Sequence, residues 1–153
     1  HVLDENTITL NDPPYCFEAG VLNTSGVIGL GTAADVLTEL GMTNVQKRIA
    51  TLTQYMIDGL VSIAQVELYG TRDASRLAGV ISWNLKGRDC AEVARELGEK
   101  YNVAVASGAQ GSLLAIRPLG ITGVVRTSGH CFTTKEDIDK LLEGVEKIAS
   151  GRK

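Results

Sequence analysis

The feature that most constrains the fold is the alternation of helix-patterned and strand-patterned segments within one chain of 153 residues. Segments with an apolar residue every three or four positions predict helices, and segments that alternate apolar and polar residues predict strands. The predicted helices are residues 23–40, 43–62 and 89–101, a short turn at 112–118, and a last helix from 133 or 134. The predicted strands are residues 66–69, 78–85, 103–106 and 124–128. This order predicts an α/β domain with a three- to four-stranded mixed sheet covered by helices.

The segment 78–85 gives the clearest strand pattern. Ile81, Trp83 and Leu85 fall on one face of an extended chain, and Val80, Ser82 and Asn84 fall on the other. We therefore predict a strand with two distinct faces.

The first helical segment is apolar on most sides. Its hydrophobic residues do not form one stripe, so the helix needs burial on several sides. We interpret it as a helix wedged between two bodies. Asn23, Thr24 or Ser25 can cap its start, and Gly41 is expected to end it.

Composition excludes several classes of protein. The net charge of −3 and a charged fraction of 22% provide no basic field for a nucleic acid. No apolar run approaches the roughly 20 residues that span a bilayer, and the polar start does not resemble a signal peptide. The three cysteines, Cys16, Cys90 and Cys131, form no paired motif, so we expect neither a disulfide nor a metal site, and a reducing, cytoplasmic location.

Arg126 is the residue whose type and position most strongly indicate a binding role. It lies within the short apolar segment 124–128. A guanidinium keeps its charge, so an arginine that is partly buried needs an anion, and its planar fork suits a carboxylate. The residue types leave two interpretations open. Arg126 binds the carboxylate of a small molecule, or it pairs with an acid of this chain or lies in solvent at a strand edge.

Two further stretches carry small or reactive groups. The glycine-rich loop 106–112 can bring its backbone close to a ligand, or it can simply connect a strand to a helix. His130 and Cys131 precede the last helix, where the pKa of a thiol can be lowered. Because adjacent residues of an extended chain point in opposite directions, we expect no direct His130–Cys131 pair and no catalytic residue in this chain.

Residues 17–26 carry a recognisable motif. They read Phe-Glu-Ala-Gly-Val-Leu-Asn-Thr-Ser-Gly and resemble the Phe-Glu-Ala-Gly-Thr-x-Asn segment of class V pyridoxal-phosphate enzymes, a group that includes cysteine desulfurases and selenocysteine lyases. Further segments fit the family in the same order: residues 27–33, 68–70, 79–84, 103–105, 126–128 and 133–139.

The resemblance implies a place for the chain within a larger enzyme. In such enzymes this region forms the small C-terminal domain and packs on a large domain that holds pyridoxal 5′-phosphate. We therefore expect residues 1–22 to be the last piece of the large domain and residues 23–153 to be the small domain. The implied partners are the cofactor-binding large domain, a second subunit of a homodimer and an amino-acid substrate, with no nucleic acid and no membrane.

The resemblance also implies roles for particular residues. Arg126 matches the arginine that binds the α-carboxylate of the substrate. Gly20 and Val21 lie where a family loop contacts the cofactor phosphate of the partner subunit, although the family often has Thr at the position of Val21. The lysine that forms the Schiff base and the Asp that pairs with the pyridine nitrogen have no counterpart in this chain. We therefore expect no covalent cofactor and no activity from this chain alone.

The loop 106–112 departs from the family pattern. Desulfurases of this type read Val-Arg-x-Gly-His-His-Cys there, and the Cys is the nucleophile. This chain has Gly111 at that position, and glycine cannot replace a thiolate. The departure favours aminotransferase, lyase or epimerase chemistry on an amino acid. The residues alone also leave open a stand-alone module that binds a small carboxylate, and a domain that only mediates dimerisation.

Overall fold

The computed structural model describes residues 2–4, 6–18 and 20–151, and its contacts divide the chain into two compact units at Gly41. Residues 1, 5, 19, 152 and 153 lie outside the described residues. They include the first and last residues of the predicted domains and Ala19 of the family-like motif. The predicted boundary between residues 22 and 23 stays a prediction. A division by contacts does not test whether residues 1–22 are the last piece of a large domain.

The first unit contains two short strands and one helix. Strands β1 (Val2–Asp4) and β2 (Thr7–Ile8) pair in antiparallel fashion, and a 3-10 turn and helix α1 (Thr24–Leu40) follow. As predicted, Asn23 caps α1, since its side chain accepts a hydrogen bond of 3.0 Å from the backbone N–H of Gly26. Gly41, with φ of 79°, ends the helix. None of the residues of α1 is buried, so the predicted wedge between two bodies stays a prediction.

The second unit contains the remaining strands and helices. Its helices are α2 (Met42–Ser62), α3 (Cys90–Tyr101), α4 (Leu113–Ile116) and α5 (Lys135–Ala149). Its strands are β3 (Val66–Tyr69), β4 (Val80–Leu85), β5 (Ala106–Gly108) and β6 (Val124–Ser128). The predicted four strands covered by helices are confirmed. The third strand of this unit was placed three residues early, because it starts at Ala106 and not at residue 103.

The sheet has the strand order β3-β4-β6-β5, and every adjacent pair is antiparallel. The sequence predicted a mixed sheet, since a helix between two strands usually joins parallel neighbours. Helix α3 does connect β4 and β5, which run in the same direction. However, β6 is inserted between them, in the manner of a split βαβ unit. Each strand therefore finds an antiparallel neighbour.

The hydrophobic core lies on one face of this sheet, beneath α2, α3 and α5. The alternation predicted for β4 is confirmed, because Ile81, Trp83 and Leu85 are buried while Ser82 and Asn84 are only partly covered. Trp83 pairs directly with Val125 of β6, and both side chains are fully buried.

Polar caps fix the starts of two covering helices. The side chain of Asp89 accepts hydrogen bonds from the backbone N–H groups of Ala91 and Glu92 at the start of α3. Thr134 and Asp137 form a reciprocal capping box at the start of α5. Hydrogen bonds donated by the backbone and the side chain of Thr134 lower the pKa of the Asp137 carboxyl.

Candidate functional site

A row of directly paired residues crosses the sheet face opposite the core. Tyr69 of β3 faces Ser82 of β4, Ser82 faces Arg126 of β6, and Arg126 faces Ala106 of β5. Residues that pair directly in antiparallel strands project from the same face. The neighbours of Arg126 along β6 are buried among the helices, so the row lies on the other face, with the guanidinium-bearing residue near its centre.

Arg126 is exposed and has no charged neighbour across the strands, because Ser82 and Ala106 flank it. Among the residues that the structure describes, no acid lies within ion-pair distance of its guanidinium, and no side-chain hydrogen bond holds it. Of the interpretations left open by the sequence, the internal ion pair therefore finds no support in residues 2–4, 6–18 and 20–151. The role of Arg126 in binding stays a prediction.

A cavity of about 280 Å³ lies beside Arg126. Ile116 and Val124, both 7% exposed, supply apolar wall. The polar side chains along it come from the sheet row and from the segment that follows β5: Tyr69, Ser82, Gln110 and Ser112. Arg126 is the one charged side chain among the described residues that line this cavity. The cavity thus combines a single positive charge with neutral hydrogen-bonding groups.

Asn84 ties two strands of this face together, and Tyr69 adds a hydroxyl group to it. Asn84 accepts a hydrogen bond of 3.1 Å from the backbone N–H of Val125 and donates one of 2.9 Å to the carbonyl of Gly123. These contacts tie β4 to the start of the strand that carries Arg126. Burial raises the pKa of the Tyr69 hydroxyl, and the hydrogen bond from Asn84 offsets part of that rise. Tyr69 therefore remains a neutral hydroxyl beside the cavity at physiological pH.

The turn after β5 holds Gln110 in an unusual conformation. Gln110 and Gly111 both have positive φ, of 49° and 73°, and the N–H of Ser112 donates a hydrogen bond of 2.8 Å to the carbonyl of Ala109. These are the features of a type I′ turn. The side-chain nitrogen and oxygen of Gln110 are both buried and have no hydrogen-bond partner within the described residues. The sequence indicated that the backbone of loop 106–112 can approach a ligand but did not single out Gln110, although the glycine that follows it is a signal for such a turn.

The expectation that His130 and Cys131 do not pair directly is wrong, whereas the expectation of no catalytic residue stays a prediction. The Cys131 Sγ lies 3.1 Å from the His130 Nδ1, so the two side chains do contact each other. The chain is not extended here, because Thr133 closes a turn on His130 with two hydrogen bonds of 2.9 Å. A turn brings neighbouring side chains to the same side. Neither His130 nor Cys131 lines the cavity beside Arg126.

Gly20 and Val21, the predicted cofactor contacts, lie in the first unit. Gly20 has a left-handed backbone with φ of 73°, and Val21 is 98% exposed. A side chain without a hydroxyl offers a phosphate only backbone N–H groups at these positions. Their role as cofactor contacts stays a prediction.

Metal-binding groups, disulfides and membrane-spanning helices are other features that could indicate a function. The described part of the chain holds no group of three or more His, Cys, Asp or Glu side chains placed to bind a metal ion. All three cysteines are free thiols. Within residues 2–4, 6–18 and 20–151, no helix is at once long enough and apolar enough to traverse a bilayer.

The fold and sequence resemble those of cysteine desulfurases. The chain is 34% identical over 141 residues to a cysteine desulfurase of Pectobacterium atrosepticum and 36% identical over 153 residues to a probable cysteine desulfurase of Methanothermobacter thermautotrophicus. These matches cover 92% and 97% of this chain but 34% and 38% of the relatives. The chain therefore spans about a third of the length of the relatives it matches.

Solved structures agree with this relation. The apo structure of a cysteine desulfurase from Thermococcus onnurineus NA1 superposes with a TM-score of 0.87 at 30% identity, over 99% of this chain and 37% of that one. The cysteine desulfurase CsdA from Escherichia coli gives a TM-score of 0.85 at 25% identity, over 98% of this chain and 36% of that one. Residues 1–141 match the family described as Aminotransferase class-V. The resemblance inferred from the sequence is thereby confirmed, and the chain belongs to the class V aminotransferase family.

Proposed function

We propose that this chain forms the small, substrate-binding part of a pyridoxal-phosphate-dependent enzyme that acts on an amino acid, and that Arg126 binds the substrate carboxylate. The observation that carries the proposal is an exposed arginine without an acid partner among the described residues, beside a cavity whose described lining contains no carboxylate. A permanent cation in this setting attracts an anion, and a carboxylate matches its planar fork.

The size of the cavity supports a small ligand. Its volume of about 280 Å³ lies just below the range for small-molecule sites, which begins at about 300 Å³. An amino acid fits such a volume, whereas a peptide or a nucleotide needs more. Arg126 would orient the substrate by its carboxylate, and the wall around Ile116 and Val124 would exclude water from its apolar part.

The cavity does not suit the cofactor itself. Covalent attachment of pyridoxal phosphate needs a lysine, and its pyridine nitrogen is usually paired with an acid. No lysine and no acid occurs among the described residues that line the cavity. We propose that both groups belong to a part of the enzyme outside these 153 residues, and that an amino-acid substrate bridges that part and Arg126. Relatives about three times as long make room for such a part.

The loop after β5 bears on which reaction the enzyme catalyses. The relatives are desulfurases, but the loop 106–112 contains no cysteine to accept sulfur. Aminotransferase, lyase or epimerase chemistry requires no thiolate at this loop. We propose one of these reactions on an amino acid.

The carboxylate contact is tested by nuclear magnetic resonance titration of the 153-residue chain with L-alanine and with L-alaninamide, which lacks the carboxylate. We expect the wild type to bind L-alanine and to ignore the amide. R126A should bind L-alanine at least tenfold more weakly, because hydrogen bonds to charged groups contribute about 1.5–3 kcal/mol. R126K should fall between the two, since lysine keeps the charge and loses the fork.

R117A is the matched control, because Arg117 is exposed on the neighbouring segment and does not line the cavity. It should bind like the wild type, and the thermal unfolding of R126A should be unchanged. Equal binding of L-alanine by R126A and the wild type would remove Arg126 from the site.

A stand-alone carboxylate-binding module is the second candidate. It is favoured by the fact that every described residue lining the cavity comes from the second compact unit. Addition of pyridoxal phosphate to the chain should give no Schiff-base absorbance in either case. An adduct on one specific lysine, trapped by borohydride, would contradict the assignment of the cofactor lysine to another part of the enzyme.

A further inference from the structure

We propose that Gln110 is a specificity-determining residue of the cavity beside Arg126, and that the cavity takes an amino acid whose side chain ends in a carboxamide. This inference rests on the proposed function, because it requires Arg126 to bind the carboxylate of the same ligand. It specifies the chemical group at the end of the ligand's side chain.

The backbone of Gln110 is the first observation. Only Gln110 and Asn102 have positive φ among the described residues other than glycine. Asn102 is explained by its place as the C-cap of α3, where a left-handed residue ends the helix. Glutamine is not among the residue types that favour this conformation, whereas glycine, which occupies the next position, adopts it freely. Residues in disfavoured conformations cluster at ligand sites. We therefore look to the side chain of Gln110 to explain why a residue other than glycine occupies this position.

The amide of Gln110 is the second observation. Its nitrogen and its oxygen are both out of contact with solvent, and neither has a hydrogen-bond partner within the described residues. Buried polar groups are normally paired, and an unpaired one needs an explanation. A ligand that supplies an acceptor and a donor together would satisfy both atoms.

Charge and hydrogen-bonding capacity select the ligand group. Arg126 is the one charged side chain among the described residues that line the cavity, and it matches one carboxylate. A second carboxylate on the ligand would lack a cation and would leave the Gln110 oxygen unpaired, because it only accepts hydrogen bonds. A thiol donates and accepts weakly. A carboxamide carries no charge and pairs with both atoms of another amide.

Gln110 lines the cavity, but its amide atoms are out of contact with solvent. The side chain must therefore rotate to make hydrogen bonds to a ligand. Gly108 and Gly111 lie on either side of Gln110, and a Cβ atom built on either would meet no atom within 4 Å. The backbone at these two positions is therefore not closely packed.

The test uses two ligands of nearly the same shape, L-asparagine and L-leucine, in nuclear magnetic resonance titrations of the 153-residue chain. L-Alanine serves as the reference for carboxylate binding alone. We expect the wild type to bind L-asparagine about tenfold or more tightly than L-leucine, because a site built for a polar group rejects an analogue without it. The side-chain amide resonances of Gln110 should move with L-asparagine and stay in place with L-leucine.

Two variants remove the amide in different ways. Gln110→Met keeps the length of the side chain, and Gln110→Gly keeps the turn, because glycine adopts the left-handed conformation freely. Both should bring the ratio of the two affinities close to one while L-alanine still binds. Asn102→Gly is the matched control, since it changes the other left-handed residue at a site away from this cavity, and it should keep the wild-type ratio.

The outcomes separate the two proposals. Binding of L-alanine with equal affinity for L-asparagine and L-leucine would overturn this inference and leave the proposed function intact. A wild-type ratio retained by both Gln110 variants would overturn it as well. If none of the three amino acids binds the wild type, the proposed function and this inference fail together.

Discussion

On one face of the sheet, Trp83 and Val125 pair beneath three helices and are fully buried. On the other face, their strand neighbours Ser82 and Arg126 pair beside an open cavity. The two pairs are one residue apart along the same strands. Packing restricts which residues the covered face can hold, because nearly every atom there has a neighbour. Packing restricts the residues of the open face much less. That face can therefore hold an unpaired cation, which would be costly on the covered face.

The largest expected effect concerns the covered face. Trp83→Ala should lower the free energy of unfolding by about 3–5 kcal/mol, because it leaves a large cavity in the core. Ser82→Ala is the control from the same strand and should change stability by less than about 0.5 kcal/mol. Urea denaturation followed by circular dichroism measures both. Comparable losses in the two variants would break the contrast between the faces.

A smaller effect separates packing from helix propensity in the helices that cover the sheet. A Cβ on Gly144 of α5 would lie 2.9 Å from the Cδ2 of Leu97 and 3.0 Å from the Cγ of Tyr101, whereas a Cβ on Gly98 of α3 would meet nothing within 4 Å. Gly144→Ala should therefore destabilise by about 1–3 kcal/mol. Gly98→Ala should stabilise by about 0.5–1 kcal/mol, because alanine is the better helix former.

Thermal unfolding of the two variants checks this pair of opposite signs. Stabilisation by Gly144→Ala would mean that α3 and α5 pack loosely enough to absorb a methyl group. The covered face would then resemble the open one more closely than the structure indicates.

The two faces also differ in how much the sequence could predict. The alternation around Trp83 identified strand β4 and its two faces, because burial leaves a local pattern. Strand β5 was misplaced. Residues 103–105 have the residue types of a strand, but pairing with β6 includes Ser107 and Gly108 instead. That choice is made by contacts distant in sequence, and local propensity does not report them.

The site was predicted in part. Arg126 was singled out because a charged residue in an apolar strand is conspicuous. Gln110 was not, because its unusual features are a backbone angle and two unpaired atoms, which exist only in the folded chain. The contact between His130 and Cys131 was missed for a related reason, since the turn closed by Thr133 was taken for extended chain.

The insertion of β6 between β4 and β5 has a consequence for synthesis of the protein. The strand that completes the middle of the sheet follows the other three strands of that sheet along the chain. Until residues 124–128 leave the ribosome, β4 lacks a neighbour on one side and β5 lacks one on both sides. Unpaired strand edges invite association with other chains. Addition of β6 thus gives β4 its second neighbour, gives β5 its first, and places Arg126 on the sheet in a single step.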